Sequence, residues 1–122
     1  GEIEQLLSVV GLGTAGGKRT ENYSMGMKQR LGLALAMLGS PDVLLLDEPM
    51  NGLDPEGVRE MRNLIIRLNE QRGVTVVLVT HRTSMLSFVD RVIVVDQGKI
   101  VADGPRERIM QALAAGRISR AA

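Results

Sequence analysis

The sequence predicts an α/β fold with parallel strands and helices, closed by a C-terminal β-hairpin. Three observations carry this. Two short apolar runs, Val43-Leu44-Leu45-Leu46 and Val74 to Val79, flank an amphipathic stretch over residues 55–71. Strand, helix and strand at that length imply a right-handed parallel crossover. Further on, Val92 to Val95 and Lys99 to Ala102 are joined by Asp96-Gln97-Gly98, a hairpin pattern. Finally, 122 residues suffice for one domain at most, with one continuous core.

The elements follow in order. Ile3, Leu6, Leu7 and Val10 repeat at helical spacing, so residues 2–10 are a helix that runs into a loop over residues 11–22. Ser24 is the N-cap of a helix over residues 25–38. Its second half, Leu31 to Leu38, has almost no polar face and should be buried all round. Gly39-Ser40-Pro41-Asp42 ends it, and Val43 to Leu46 is a strand expected to be covered on both sides. Pro55 suits a first helical turn, with Val58, Met61, Leu64, Ile65 and Leu68 on one face and Arg59, Glu60, Arg62 and Arg67 opposite. Gly73 stops that helix before a second buried strand. Residues 83–89 form a short helix, and Pro105 opens a last one with Ile109, Met110 and Leu113 inward until Gly116.

Composition narrows the function classes. Fifteen basic and fourteen acidic residues leave a net charge of +1, giving no electrostatic case for nucleic acid or an anionic bilayer. With no cysteine and a single histidine, His81, disulfides, thiol catalysis and a structural zinc site are not expected. No apolar run approaches the roughly 20 residues that span a bilayer. The amino terminus lacks a starting methionine and a basic leader, so the chain is expected to begin within a longer protein.

The segment Gly11-Leu12-Gly13-Thr14-Ala15-Gly16-Gly17-Lys18-Arg19-Thr20 has the residue types of a phosphate loop. Such a loop needs Gly, any four residues, then Gly-Lys-Ser/Thr between a strand and a helix. Aligned on Gly17-Lys18, the first glycine falls on Leu12 and the hydroxyl on Arg19, and the segment follows a helix. The expectation is a solvated turn between helices.

Chemistry is more legible at Leu44-Leu45-Leu46-Asp47-Glu48-Pro49. Two acids end a buried strand, the place where open α/β sheets bind ligands. One acid can hold magnesium, usually through water, while its neighbour accepts a proton from an attacking water. The bland alternative is that such acids only cap the next helix. Upstream lies Tyr23-Ser24-Met25-Gly26-Met27-Lys28-Gln29-Arg30, downstream Met50-Asn51-Gly52-Leu53-Asp54, and the second strand ends in Val79-Thr80-His81.

In this order and spacing the four segments resemble the signature motif, Walker B, D-loop and switch histidine of ABC-family ATPases. The likeness covers residues 2–116. It implies an incomplete P-loop NTPase (RecA-like) core over residues 41–122 and part of the ABC helical subdomain over residues 1–40. It further implies that Ser24, Met25, Gly26 and Met27 face the γ-phosphate of ATP held by an opposite subunit. By the same likeness Asp47 is the magnesium ligand, Glu48 the general base, Asn51, Gly52, Leu53 and Asp54 the interface D-loop, and His81 the γ-phosphate sensor. For His81 the bland reading is a core or helix-capping histidine.

Departures exist. The usual signature is Leu-Ser-Gly-Gly-Gln, whereas Tyr23, Met25 and Met27 stand at its first, third and fifth positions. That variant resembles bacitracin- and drug-type exporters over residues 2–73, while residues 75–112 look more like type I secretion exporters, as in a chain recombined or engineered near Gly73 to Val79. The family's adenine-stacking aromatic, Walker A loop and Q-loop have no counterpart here. Tyr23 and Phe88 are the only aromatic residues.

The resemblance therefore implies ATP and Mg2+ only in a complete domain, hydrolysis of MgATP coupled to export, and an isolated chain that is inactive. Its implied partners are a second nucleotide-binding domain and a transmembrane exporter subunit, on the cytoplasmic side of a membrane and peripheral to it. Self-association through a vacant strand slot is also expected, and no nucleic acid. Two other classes stay open: a non-catalytic interaction module or engineered scaffold keeping the fold only, and one lobe of a chromosome-maintenance ATPase. The latter would be preceded by sustained heptads.

Overall fold

The computed structural model describes residues 1–13 and 24–116. The chain divides into two compact units, Gly1–Val79 and Thr80–Ala122, where its length predicts a single core. The reason is local: the last strands and helix bury Val92, Val94 and Ile109 among themselves, with Leu86, Val89, Ala102 and Leu113 packed around them.

In the first unit, α1 (Glu2–Val9) and α2 (Met25–Ala36) are followed by β1 (Val43–Asp47), α3 (Pro55–Arg72) and β2 (Thr75–Val79). Ser24 caps α2 as expected, its Oγ accepting the Met27 N–H at 3.2 Å. α1 buries Leu6, and the chain beyond it buries Val10 and Leu12. Arg67 of α3 reaches the Val9 carbonyl at 3.5 Å, and the Glu2 carboxylate accepts the Gly39 N–H at 2.7 Å. Leu12 thus belongs to the core, although its segment is expected to be a solvated turn. Residues 14–20 of that segment, and Tyr23 of the signature, lie outside the described residues.

α3 is the amphipathic helix that its pattern predicts. Met61, Leu64, Ile65 and Leu68 are buried, each burial worth roughly 1.5–3 kcal/mol against full exposure. Asp54 caps its start, Pro55 occupies the first turn, and Gly73 ends it at φ 67°, a left-handed conformation that a Cβ disfavours. Asn69 Nδ2 then donates to the Val74 carbonyl at 2.8 Å, tying the helix end to the start of β2.

β1 and β2 pair in parallel, from Val43 opposite Thr75 to Asp47 opposite Val79. The expectation that both strands are covered on two sides is corrected. Leu44 is buried, but Val43 and Leu45 are 58% and 67% exposed, and Val77 and Val79 on the same face are exposed too. A short apolar run is equally compatible with one covered face, so the pattern could not decide. α2 is corrected likewise. Leu33, Ala34 and Met37 are buried, while Leu35 and Leu38 face outward. A single side of α2 meets the neighbouring helices, and the helix ends at Ala36 rather than at residue 38.

The second unit starts with a short 3-10 helix (Thr83–Phe88), then β3 (Arg91–Asp96), β4 (Lys99–Pro105) and α4 (Arg106–Ala114). β3 and β4 form the expected hairpin through Gln97-Gly98, both at positive φ, 49° and 76°, which defines a primed turn. α4 turns Ile109 and Leu113 toward the strands, but Met110 is 41% exposed, against expectation. Met110 follows Ile109 by one residue, so the two point about 100° apart on a helix.

Candidate functional site

The site residues are placed by turns rather than by regular elements. β1 ends at Asp47, whose side chain is exposed. Glu48 follows at φ 46°, a left-handed conformation rare for a residue with a Cβ and worth about 1–2 kcal/mol of strain. Glu48 is pinned from both sides. Its N–H donates to the Val79 carbonyl at 2.8 Å, extending the β1–β2 ladder by one rung, and its carbonyl accepts the Asn51 N–H at 3.1 Å. That turn sends the chain away from the sheet at the point where both acids stand.

The next turn closes with the Leu53 N–H donating to the Met50 carbonyl at 3.2 Å, with Met50 fully buried beneath it. Gly52 sits at φ 77°, and a Cβ there would meet the Met25 side chain at 3.6 to 3.9 Å. Asp54 then uses Oδ1 to accept the Gly57 N–H at 2.8 Å. The helix cap that follows the strand-end acids is therefore Asp54. The bland reading that Asp47 and Glu48 cap the next helix does not describe this turn.

α2 comes to the same place from the other side. Ser24, Met25, Gly26, Met27 and Arg30 of α2 and its cap face Gly52, Leu53 and Asp54, and the beginning of α3 closes a cleft of about 460 Å³ between them. Gln29 Nε2 donates to the Asn51 carbonyl at 3.4 Å. Arg30 forms an ion pair with Glu60 of α3. Seven of the eleven expected site residues thus line one cleft, and Asn51 is joined to it through Gln29. Asp47 and Glu48 stand at the end of β1, just before the turn. His81 is exposed and belongs to the second unit, where the Arg82 N–H bonds back to Thr80 Oγ1 at 3.1 Å in a tight turn around it.

Gln29, Arg30 and Glu60 are the residues of this arrangement that sequence reasoning did not single out. Glu60 is only a polar residue on the outer face of α3 in the pattern. Its pairing with a residue 30 positions earlier leaves no local signature.

Among the described residues no helix is long and apolar enough to cross a membrane. Residues 14–87 match a family model described as "AAA domain, putative AbiEii toxin, Type IV TA system". The chain is 42% identical over 108 residues to the bacitracin transport ATP-binding protein BcrA of Bacillus licheniformis, covering 88% of this chain and 35% of that protein. It is 40% identical over 103 residues to the methionine import ATP-binding protein MetN of Corynebacterium diphtheriae, covering 84% of this chain and 30% of that protein.

The chain thus spans about a third of the length of these curated relatives, as it does of YhcH of Bacillus subtilis, an uncharacterized ABC transporter ATP-binding protein to which it is 41% identical over 101 residues. Among solved structures, CbiO1 of Clostridium perfringens, part of the ABC transporter complex cbiONQ, superposes with a TM-score of 0.86 at 29% identity, over 95% of this chain and 47% of that one. An ATP-binding cassette of an ABC transporter in its ADP conformation gives 0.87 at 23% identity, over 96% of this chain and 46% of that one, a likeness of fold.

Proposed function

We propose, because the chain belongs to the AAA-domain family that matches residues 14–87, that it supplies one part of the ATP site of an ABC-type ATPase. The parent reaction is hydrolysis of MgATP to ADP and phosphate, coupled to transport through a membrane partner. The observation that carries this is the pair of acids at the carboxyl end of β1, with Glu48 held in a strained backbone conformation that the fold has to offset. Strain of that kind concentrates where a side chain must be aimed.

The residues at this site suit magnesium and a nucleotide phosphate. Magnesium keeps several waters and takes one or two carboxylates along with phosphate oxygens. Asp47, exposed at the strand end, is a carboxylate of that type. Bound magnesium would neutralise charge on the phosphates. Glu48 would accept a proton from the attacking water. The first turn of α2 offers backbone N–H groups to a phosphate, and Gly26 leaves open space there, with Ser24 Oγ 4.0 Å from where a Cβ would stand. On this reading Ser24 to Met27 serve a nucleotide held by a second domain, the 51–54 turn lies at the interface with that domain, and His81 senses the γ-phosphate.

Residues 1–40 then belong to the helical subdomain and 41–122 to the ATPase core. The chain by itself forms no complete ATP site, because no segment meets the Walker A spacing. Two exposed apolar sheet faces, Val43, Leu45, Val77 and Val79 in one unit and Ile93, Val95 and Ile100 in the other, favour self-association.

Equilibrium binding of MgATP to the purified chain, with Glu48→Gln alongside, tests this. No binding up to millimolar ATP is expected, with light scattering showing a species larger than one chain. Micromolar binding by the chain alone would overturn the half-site reading.

A further inference from the structure

The turn after β1 contains Asn51-Gly52, and its main chain is bonded unevenly. The Asn51 N–H donates to the Glu48 carbonyl at 3.1 Å, and the Leu53 N–H to the Met50 carbonyl at 3.2 Å. Between them, the Gly52 N–H has no acceptor among the described residues. Asn51 and Gly52 are both exposed, and Gly52 stands at φ 77° with no side chain to screen its nitrogen. Asn63 and Asn69 are placed differently. Both lie within α3, as do Leu64 and Glu70 directly after them, whose N–H groups belong to the helical ladder.

We infer that Asn51 is a site of spontaneous covalent modification, deamidation through the Gly52 nitrogen. Hydroxide removes the Gly52 amide proton, and the nitrogen attacks Cγ of Asn51. The N–Cγ bond forms, the Cγ–Nδ2 bond breaks, and the amide nitrogen takes a proton from water and leaves as ammonia. The product is a cyclic imide. Water then opens it. Addition at Cγ gives aspartate, whereas addition at the main-chain carbonyl gives isoaspartate, in which the chain runs through Cβ and Cγ. Water is consumed and ammonia released mole for mole, with no change of oxidation state. A nitrogen that donates its proton inside a helix is not available for this attack, so Asn63 and Asn69 are shielded where Asn51 is not.

Either product places a new carboxylate in a turn that already carries Asp54, and removes the chain's formal net charge of +1. Isoaspartate also adds a methylene to the main chain inside the turn that the Leu53 bond to Met50 closes. The reaction itself needs no nucleotide. Only its consequence for ATP chemistry, negative charge where the turn meets a second domain, rests on the function proposed above.

The full chain is incubated at mildly alkaline pH, once in buffer and once unfolded in guanidinium chloride. Peptide mass mapping follows conversion at each asparagine, and methyl transfer by an isoaspartyl methyltransferase counts the isoaspartate. Asn51 is expected to give both products, with folding slowing it by less than about tenfold, as for a segment whose opening free energy is close to zero. Asn63 and Asn69 are expected to be slowed by a larger factor. Protection of Asn51 beyond about tenfold, or as great as at the two helical asparagines, would overturn the inference. So would aspartate without isoaspartate, which would mean direct hydrolysis and no imide. No nucleotide is present in either arm, so neither result bears on ATP binding.

Discussion

Asp54 is expected to show its weight in α3 before it shows any role toward a nucleotide. Its Oδ1 accepts the Gly57 N–H at 2.8 Å, satisfying one of the N–H groups that the first turn of a helix leaves without an intrahelical partner. Alanine at this position removes the acceptor and exposes the helix start to fraying, at a cost of about 1 kcal/mol. Asparagine keeps an acceptor of equal reach and should cost close to nothing, while glycine lies between, at a few tenths.

α3 presents Met61, Leu64, Ile65 and Leu68 to the core, so fraying at its start is felt by the whole first unit. For a unit the size of Gly1–Val79 a loss of about 1 kcal/mol lowers Tm by about 4–8 °C. Thermal unfolding followed by far-ultraviolet circular dichroism on Asp54→Ala, Asp54→Asn and Asp54→Gly gives the series. Equal losses for alanine and asparagine would refute the capping argument, since they would assign the effect to the charge and not to the acceptor. No loss for alanine would show that the bond carries no stability.

Three other perturbations test separate parts of the fold. Leu68→Ala empties a site only 1% exposed and should cost about 2–5 kcal/mol in urea unfolding, with the first unit losing its cooperative transition at the upper end. Gln97→Asn places the preferred residue at φ 49° in the primed turn and should raise stability by a few tenths to about 1 kcal/mol; a loss would mean that the Gln97 side chain contributes more than its backbone costs. The Arg91 guanidinium donates two hydrogen bonds to Asp103, at 2.8 and 2.6 Å, and holds its carboxyl below the usual range. A depressed folded value gives stability that is present above the unfolded pKa, about 3.9, and is lost as pH falls through the folded value below it. The Tm difference between wild type and Asp103→Asn should therefore shrink in acid and be constant near neutrality.

Much of this fold is legible because its signals are local. Ser24 and Asp54 are side chains that cap the helix directly after them, and Gly73 and Gly98 mark left-handed positions that few other residues tolerate. The faces of α3 follow from a 3.6-residue period that needs no partner to be read. Where reading failed, the cause was non-local. Val43 and Leu45 are as apolar as Leu44, and whether a face of the strand is covered depends on what packs there. Leu35 fails for the same reason, whereas Met110 departs from the helical period itself, one residue from the buried Ile109. Glu48 shows a different limit. No residue type announces φ 46° at a glutamate, because the conformation is imposed by the Val79 and Asn51 bonds on either side of it. The cleft was half legible: its motifs could be quoted from the sequence, but the pairing of Gln29 with Asn51 and of Arg30 with Glu60 could not.

The residues proposed for the site therefore also hold the fold, and this constrains how the proposal can be tested. Ser24, matched to a phosphate contact, caps α2, and Asp54, matched to an interface loop, caps α3. Gly52 occupies a left-handed position beneath Met25. Alanine at either cap would lower stability by about 0.5–2 kcal/mol whatever its effect on a nucleotide. A loss of ATP-dependent activity in a reassembled domain would then have two causes that a single substitution cannot separate. Conservative partners separate them. Ser24→Asn and Ser24→Thr both keep a capping oxygen while changing the group offered to a phosphate. Activity lost with Tm preserved assigns Ser24 to the nucleotide, whereas activity that follows Tm through the alanine, threonine and asparagine variants assigns it to the helix.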